Sequence, residues 1–240
     1  MRLDKFLAET GRGTRTAVKK LVNAGKVKVN GEVVKDPAAK IDENKDEVSI
    51  DGEVIAYADL EYYMLNKPKG VISASRDKKS NTVCVTDLIK EKIRSDLFPV
   101  GRLDKDTEGL LIITNDGDLA HRMLSPKKHV DKTYFTELDG TLSKEAAERI
   151  MNGVDIGDEK PTLPCNINIL SDRTCFITIH EGRYHEIKRM FQTEGLRVTG
   201  LKRISMGPIS LDPELQSGEY RCLSEAEIEL LKNFDKADKN

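Results

Sequence analysis

Three short stretches of this 240-residue chain hold side chains that could act on a substrate. The first is Phe98-Pro99-Val100-Gly101-Arg102-Leu103-Asp104-Lys105-Asp106-Thr107-Glu108-Gly109-Leu110-Leu111. It sets the Asp104 carboxylate between a glycine turn and an apolar run, with Arg102 two residues earlier. Most acids in loops are merely solvated, but one held beside a cation in a cleft can act as a base or a nucleophile. The second is Lys132-Thr133-Tyr134. A tyrosine on a strand is ordinarily core, its ring buried and its hydroxyl hydrogen-bonded. The third is Glu181-Gly182-Arg183-Tyr184-His185-Glu186-Ile187-Lys188-Arg189-Met190-Phe191. Lys188 follows Ile187 and so flanks the buried stripe of a helix, where it can reach a carboxylate in a cleft. The plainer reading is a lysine snorkelling at the helix edge. His180 and His185 are five apart without a third ligand, so no metal is expected, and neither a GxGxxG nor a P-loop occurs.

The elements that must hold these residues can be read from periodicity and turn chemistry. Tyr62-Tyr63-Met64-Leu65 predicts a strand running into the turn Asn66-Lys67-Pro68-Lys69-Gly70. Leu110 to Ile113 is long enough for a buried strand. Asn115-Asp116-Gly117 turns into a helix with Leu119, Met123 and Leu124 inward. Further strands are expected over 132–136, 165–170 and 174–180. A helix should start after Gly182 with Tyr184, Ile187 and Phe191 on its buried stripe. Strands with interspersed helices and no regular βαβ spacing give a mixed α+β domain over residues 62–233. Residues 234–240 are expected to be a disordered tail.

Ahead of that domain the texture is different. Leu3, Phe6 and Leu7 recur at helical spacing up to Gly11. Thr14 can cap a second helix, with Ala17, Val18, Leu21 and Val22 inward and Arg15, Lys19 and Lys20 on the other face. Lys26 to Val29 alternates as a strand, Asn30-Gly31 is a two-residue hairpin signal, and Glu32-Val33-Val34 returns. Together these make a module over residues 1–56 and a linker at 57–61. Residues 1–28 carry eight cations against Asp4 and Glu9, whereas residues 29–60 carry nine acids against three lysines. The net charge of −2 therefore hides one strongly basic segment, suited to a polyanion.

Composition bounds the rest. Hydrophobic residues are 38% and charged residues 33%, enough for a core beneath a well-solvated surface. No run approaches the roughly 18 apolar residues of a membrane span. The start Met-Arg-Leu-Asp-Lys-Phe has no apolar signal region. Cys84, Cys165, Cys175 and Cys222 are scattered, which suits reduced thiols in a cytoplasm. No heptad or dimer stripe is visible, so a monomer is expected.

Arg2-Leu3-Asp4-Lys5-Phe6-Leu7, the Thr14-Arg15 pair and Val27-Lys28-Val29-Asn30-Gly31 resemble the S4-type RNA-binding domain. Gly-Arg-Leu-Asp-x-x-Thr-x-Gly-Leu-Leu from Gly101, Lys-x-Tyr from Lys132 and Gly-Arg-Tyr-His-x-x-Lys-Arg-Met-Phe from Gly182 resemble the pseudouridine synthases that carry such a domain. Asn66-Lys67-Pro68-Lys69-Gly70-Val71 matches that family's strand-and-turn opening. The resemblance runs from Arg2 to about Leu231. It implies a small S4-type domain followed by a mainly antiparallel catalytic sheet.

By that resemblance the activity is isomerisation of a uridine, flipped out of its stack, with no cofactor. Asp104 would be the essential carboxylate, attacking the ribose or removing a ribose proton, with Lys188 as its basic partner where many relatives have arginine. Tyr134 would stack on the flipped uracil, and Arg102 would fill the gap the base leaves. Arg2, Arg12, Arg15, Lys19, Lys20, Lys67, Arg183 and Arg189 are expected to contact RNA. Ser125-Pro126 with His129, Gly153-Val154 with Glu159-Lys160, and Gly218-Glu219-Tyr220-Arg221 resemble the branch acting on the small ribosomal subunit. They imply 16S rRNA, or an assembly intermediate containing it, as partner, with position 516 as target. Two other readings stand beside this one: a synthase acting on 23S rRNA, and a non-catalytic RNA-binding assembly protein.

Overall fold

A computed structural model describes residues 1–75 and 82–234, so most of the expected tail, residues 235–240, lies outside the described residues. Phe234, assigned to that tail, instead packs against the core. The chain divides into two compact units, Met1–Glu61 with Ile89–Leu97, and Tyr62–Leu88 with the chain from Phe98 onward.

In the first unit, helix α1 (Leu3–Glu9) buries Leu3, Phe6 and Leu7, and helix α2 (Arg15–Asn23) buries Val18 and Val22. Thr14 caps α2 by accepting the Ala17 N–H at 3.2 Å. Ala17, expected inward, is exposed, because the contact stripe of this helix is narrower than its run of apolar residues. Strands β1 (Val27–Val29) and β2 (Glu32–Val33) pair as a hairpin. Asn30 and Gly31 both take positive φ (52° and 83°), the geometry a two-residue turn requires. Strands β3 (Val48–Ile50) and β4 (Glu53–Val54) complete a sheet of order β2-β1-β3-β4.

Residues 57–61 are not a free linker. Tyr57 stacks on Phe6 at 5.2 Å, and the Glu61 carboxylate accepts the N–H groups of Ile93 and Arg94 at 3.1 and 2.6 Å. Arg94, only 5% exposed, grips Asp96 through two hydrogen bonds. It also meets Glu9 at 3.0 Å and lies over the Tyr57 ring at 5.4 Å. Segment Ile89–Leu97 thus closes the first unit although it falls within the span expected for the catalytic domain.

The second unit is built on one sheet. Its strands are β5 (Tyr62–Lys67), β6 (Phe98–Pro99), β7 (Glu108–Thr114), β8 (Lys132–Leu138), β9 (Asn166–Ser171), β10 (Thr174–Ile179), β11 (Val198–Met206), β12 (Ile209–Ser210) and β13 (Tyr220–Cys222). Among the described residues the order is β13-β5-β7-β11-β8-β10-β9, with β6 on β7 and β12 on β11. Among the strand pairs of the described residues only β7 and β11 run parallel. Strands β5 and β7 are covered on both faces, which is why they read as continuous apolar runs; β10 alternates. Gly109 marks where β7 closes on β11: at φ +98°, a Cβ there would overlap the Arg203 carbonyl oxygen.

Helices α3 (Val85–Leu88), α4 (Gly117–Leu124), α5 (Lys144–Met151), α6 (Glu186–Gln192) and α7 (Glu225–Asn233) surround the sheet. In α4, capped by Asp116, the inward residues are Leu119, Ala120 and Met123; Leu124 at the last turn is exposed. Among the described residues no helix is long and apolar enough to cross a membrane.

Candidate active site

Asp104 sits in a turn between β6 and β7 that is fixed almost entirely through backbone groups. Buried Leu103 donates its N–H to Ser73 Oγ at 3.0 Å, and Ser73 Oγ donates back to the Leu103 carbonyl at 2.8 Å. The Thr107 N–H closes the turn on the Asp104 carbonyl at 3.1 Å, and Gly70 donates its N–H to Lys105 O at 2.8 Å. The fourth hold is Lys67. Its side chain is 0% exposed, and Nζ donates to the carbonyls of Pro68, Lys105 and Thr107 at 3.0, 3.3 and 2.8 Å. Burial pulls this ammonium down to about 8, against the pull of Asp106, Asp104 and Glu108. Lys67 was expected on RNA; a cation wholly inside and already bonded has no donor left for a phosphate.

Helix α6 brings Lys188 to the same turn. Its Nζ lies 3.1 Å from Asp104 Oδ2 and 2.6 Å from Asp106 Oδ1, so one ammonium bridges two carboxylates. Burial alone would lower Lys188; the hydrogen bonds to Asp106 and Asp104 outweigh it and raise it. The Lys188 hydrogen bond likewise holds Asp106 below the usual carboxylate range. His185 approaches the same Asp104 oxygen at 3.7 Å, too long for a hydrogen bond. Two residues near Asp104 thus escaped the sequence reading. Asp106, spaced like a second ligand for the lysine, could have been found from the loop itself; His185 was weighed only as a metal ligand. His180 points elsewhere, with Nδ1 2.7 Å from Asp131.

Tyr134 is buried on β8, in register with Ile177 of β10 and Arg203 of β11. Asp104, Arg102, Tyr134 and Lys188 all line one recess of about 70 Å³, with Leu103, Ile187 and Leu201 among its apolar walls. Asp104 and the exposed Arg102 also line a broader cavity of about 860 Å³. Such a pairing of a narrow recess that holds an ion pair and a tyrosine ring with a wide cation-edged mouth suits a polymer that inserts one unit.

The remaining cations divide. Arg183, which lines both cavities, is committed to its own chain, donating to Glu181 at 2.8 Å and to the carbonyls of Lys160 and Pro161 at 2.6 and 2.8 Å. Arg189 is committed to Asp158 at 2.6 and 3.1 Å and to the Ile156 carbonyl. Both were expected to contact RNA, but they brace the loop over residues 156–161 instead. In the first unit Arg15, Lys19 and Lys20 are exposed on α2. Arg2 is paired through two hydrogen bonds with the buried Asp4, and Arg12 with the exposed Glu53 at 2.9 Å; both guanidinium groups stay accessible. Beneath the recess, burial pushes the carboxyl of Glu186 up to about 7 despite the Arg183 N–H, and neighbouring Glu181 adds to the rise. Burial opposes ionisation of Glu181 too, but the Leu163 N–H and the Arg183 guanidinium keep it low.

Residues 61–193 match the profile of the RNA pseudouridylate synthase family, and residues 1–48 that of the S4 domain. An uncharacterized RNA pseudouridine synthase of Bacillus subtilis is 47% identical over 235 residues, covering 96% of this chain and 98% of that protein. The ribosomal small subunit pseudouridine synthase A of Haemophilus influenzae is 39% identical over 233 residues, covering 96% and 99%; that of Escherichia coli K12 is 38% identical over 230 residues, covering 95% and 98%. A crystal structure of pseudouridylate synthase superposes with a TM-score of 0.68 at 37% identity, covering 96% of this chain and 99% of the other. With both profiles in order and these likenesses end to end, the chain belongs to the RNA pseudouridylate synthase family, its synthase domain preceded by an S4 domain.

Proposed function

We propose that the chain converts one uridine of small-subunit ribosomal RNA, at position 516 of 16S rRNA, into pseudouridine. The observation that carries this is the Asp104–Lys188 pair at 3.1 Å, in a recess that also holds Tyr134 and Arg102. Support for the substrate comes from the small-subunit enzymes at 38–40% identity. The reaction breaks the bond from ribose C1′ to uracil N1, turns the base and joins C1′ to C5. The C5 proton is lost and N1 gains one, so the conversion is an isomerisation that balances without a co-reactant. It needs the uridine out of its stack.

Asp104 is the carboxylate that acts on the ribose, either at C1′ or on a ribose proton, and Lys188 keeps a positive charge beside it. Lysine gives that charge without the bidentate grip of arginine. Tyr134 offers its ring to the flipped uracil and its hydroxyl to the C5 proton. Arg102, at the mouth, fills the space the base vacates. Arg15, Lys19 and Lys20, with Arg2 and Arg12, hold RNA phosphates, which fixes position and gives little sequence information. The protein works in the cytoplasm as a monomer, on 16S rRNA or an assembly intermediate.

Asp104→Asn tests the chemistry: pseudouridine formation disappears while RNA affinity stays near that of the wild type, and unchanged formation refutes the assignment. Mapping pseudouridines in ribosomal RNA from a strain without the protein tests the substrate. Loss of a 23S site with the 16S site intact overturns it.

A further inference from the structure

The turn from β10 into α6 ends in two stacked rings. Tyr184 and His185 lie 3.8 Å apart between centroids, with their planes 18° from parallel. Tyr184 was expected on the buried stripe of the helix, yet it is 76% exposed. Among the described residues no other large apolar or aromatic side chain is exposed to that degree. His185 sets this up by taking the left-handed conformation, φ +51° and ψ 33°, immediately before α6. The helix therefore begins at Glu186, three residues later than expected from the sequence, and Tyr184 is thrown outward.

Position gives the exposed ring a purpose. Tyr184 lines the 860 Å³ cavity but not the inner recess that holds Tyr134, whereas Asp104 and Arg102 line both. A base already flipped against Asp104 occupies the recess, so a ring in the outer cavity faces the next part of the ligand. That cavity also carries the cations Lys69, Arg102 and Lys105. A flat apolar face backed by a second ring and flanked by cations matches what an unpaired nucleotide offers, a π-face joined to a phosphate.

We propose that Tyr184 is a stacking platform for an unpaired RNA base next to the target uridine, with Arg102 and Lys105 facing its backbone. The inference rests on the reading of the Asp104 recess as the site of uridine isomerisation. Stacking of this kind tolerates every base, so Tyr184 adds hold on the RNA without choosing its sequence.

The chain contains no tryptophan, so Tyr184→Trp places a single indole at the site. Its emission is to be followed during titration with a 16S rRNA transcript and, separately, with heparin, a polyanion without bases. Quenching by the transcript and none by heparin is the expected result. No quenching when filter retention shows the RNA complex to be saturated overturns the proposal, as does equal quenching by heparin. In turnover assays Tyr184→Ala raises KM by roughly 5- to 150-fold, the equivalent of about 1–3 kcal/mol for one stacked base. Its single-turnover rate at saturating RNA stays near wild type, and Tyr184→Phe behaves as wild type. An unchanged KM for Tyr184→Ala refutes the platform. The two readings fail separately. Quenching by RNA together with an active Asp104→Asn variant sinks the catalytic reading and spares the platform; an inactive Asp104→Asn variant without quenching does the reverse.

Discussion

Replacing Lys67 with methionine keeps the length and apolar stem of the side chain and removes its charge and three donors. Lys105 O retains the Gly70 N–H, so the loss falls on the carbonyls of Pro68 and Thr107, which the ammonium meets at 3.0 and 2.8 Å. Each buried acceptor left without a donor costs about 1–3 kcal/mol, and relief from burying an ammonium offsets part of that, leaving a net destabilisation of about 2–4 kcal/mol. Against a total of roughly 5–15 kcal/mol this is a large shift, readily measured by urea unfolding. The freed turn also carries Asp104, and a displacement of about 1 Å there lowers turnover by about 100-fold. RNA binding supplies the contrast. A phosphate contact would contribute about one to the slope of log affinity against log salt, whereas Lys67→Met leaves that slope unchanged. Titration gives a third readout. Lys67 is near 8 when folded and 10.5 when free, so between those values the unfolded chain holds a proton that the folded one has released. Stability of the wild type relative to the variant therefore rises as pH climbs from about 8 to about 10.5. A variant of undiminished stability with a shallower salt slope would falsify this account and return Lys67 to the RNA-facing surface.

Other expectations are as direct. Lys188→Met leaves Asp104 and Asp106 facing each other without their shared ammonium, and single-turnover pseudouridine formation falls by about 100-fold, while Lys188→Arg keeps much of it; equal rates for all three proteins would refute the pairing. Glu186 is raised to about 7 from 4.5, so its contribution to stability is full below 4.5 and is lost as pH rises through 7. The stability of wild type minus Glu186→Gln, taken from urea midpoints, accordingly falls across that window, and a flat difference contradicts it. Arg15→Ala and Lys19→Ala each weaken RNA binding and reduce the salt slope by roughly 0.7–0.9, whereas Arg183→Ala lowers stability and leaves the slope alone. A reduced slope for Arg183→Ala would show its guanidinium reaching phosphate.

What the sequence made legible follows from how local each signal is. Hairpin β1–β2 was readable because Asn-Gly dictates its own turn, β5 and β7 because apolar runs survive tertiary context, and β8 and β10 because β-branched and aromatic residues fill them. Asp104, Tyr134 and Lys188 were gathered by motif resemblance, and they share one recess. Lys67, Arg183 and Arg189 were misread for a common reason. A basic residue near a glycine or beside a turn looks solvent-facing until one knows which carbonyls and carboxylates arrive from residues 105–107 and 156–161. Tyr184 failed differently: helical phase was extended backward through His185, and one left-handed residue resets that phase.

Segment Ile89–Leu97 sets an order for synthesis. The first unit lacks the Arg94 side chain and the backbone donors for Glu61 until residue 97 has left the ribosome, about 36 residues after Glu61 itself. At roughly 5–20 residues per second that is a delay of about 2–7 s. Throughout it the contacts that Ile93 and Arg94 make with Glu9 and Glu61 are missing, because both residues lie downstream in the synthase sequence, so the first unit of the nascent chain is completed only after the first strand of the catalytic sheet has been made.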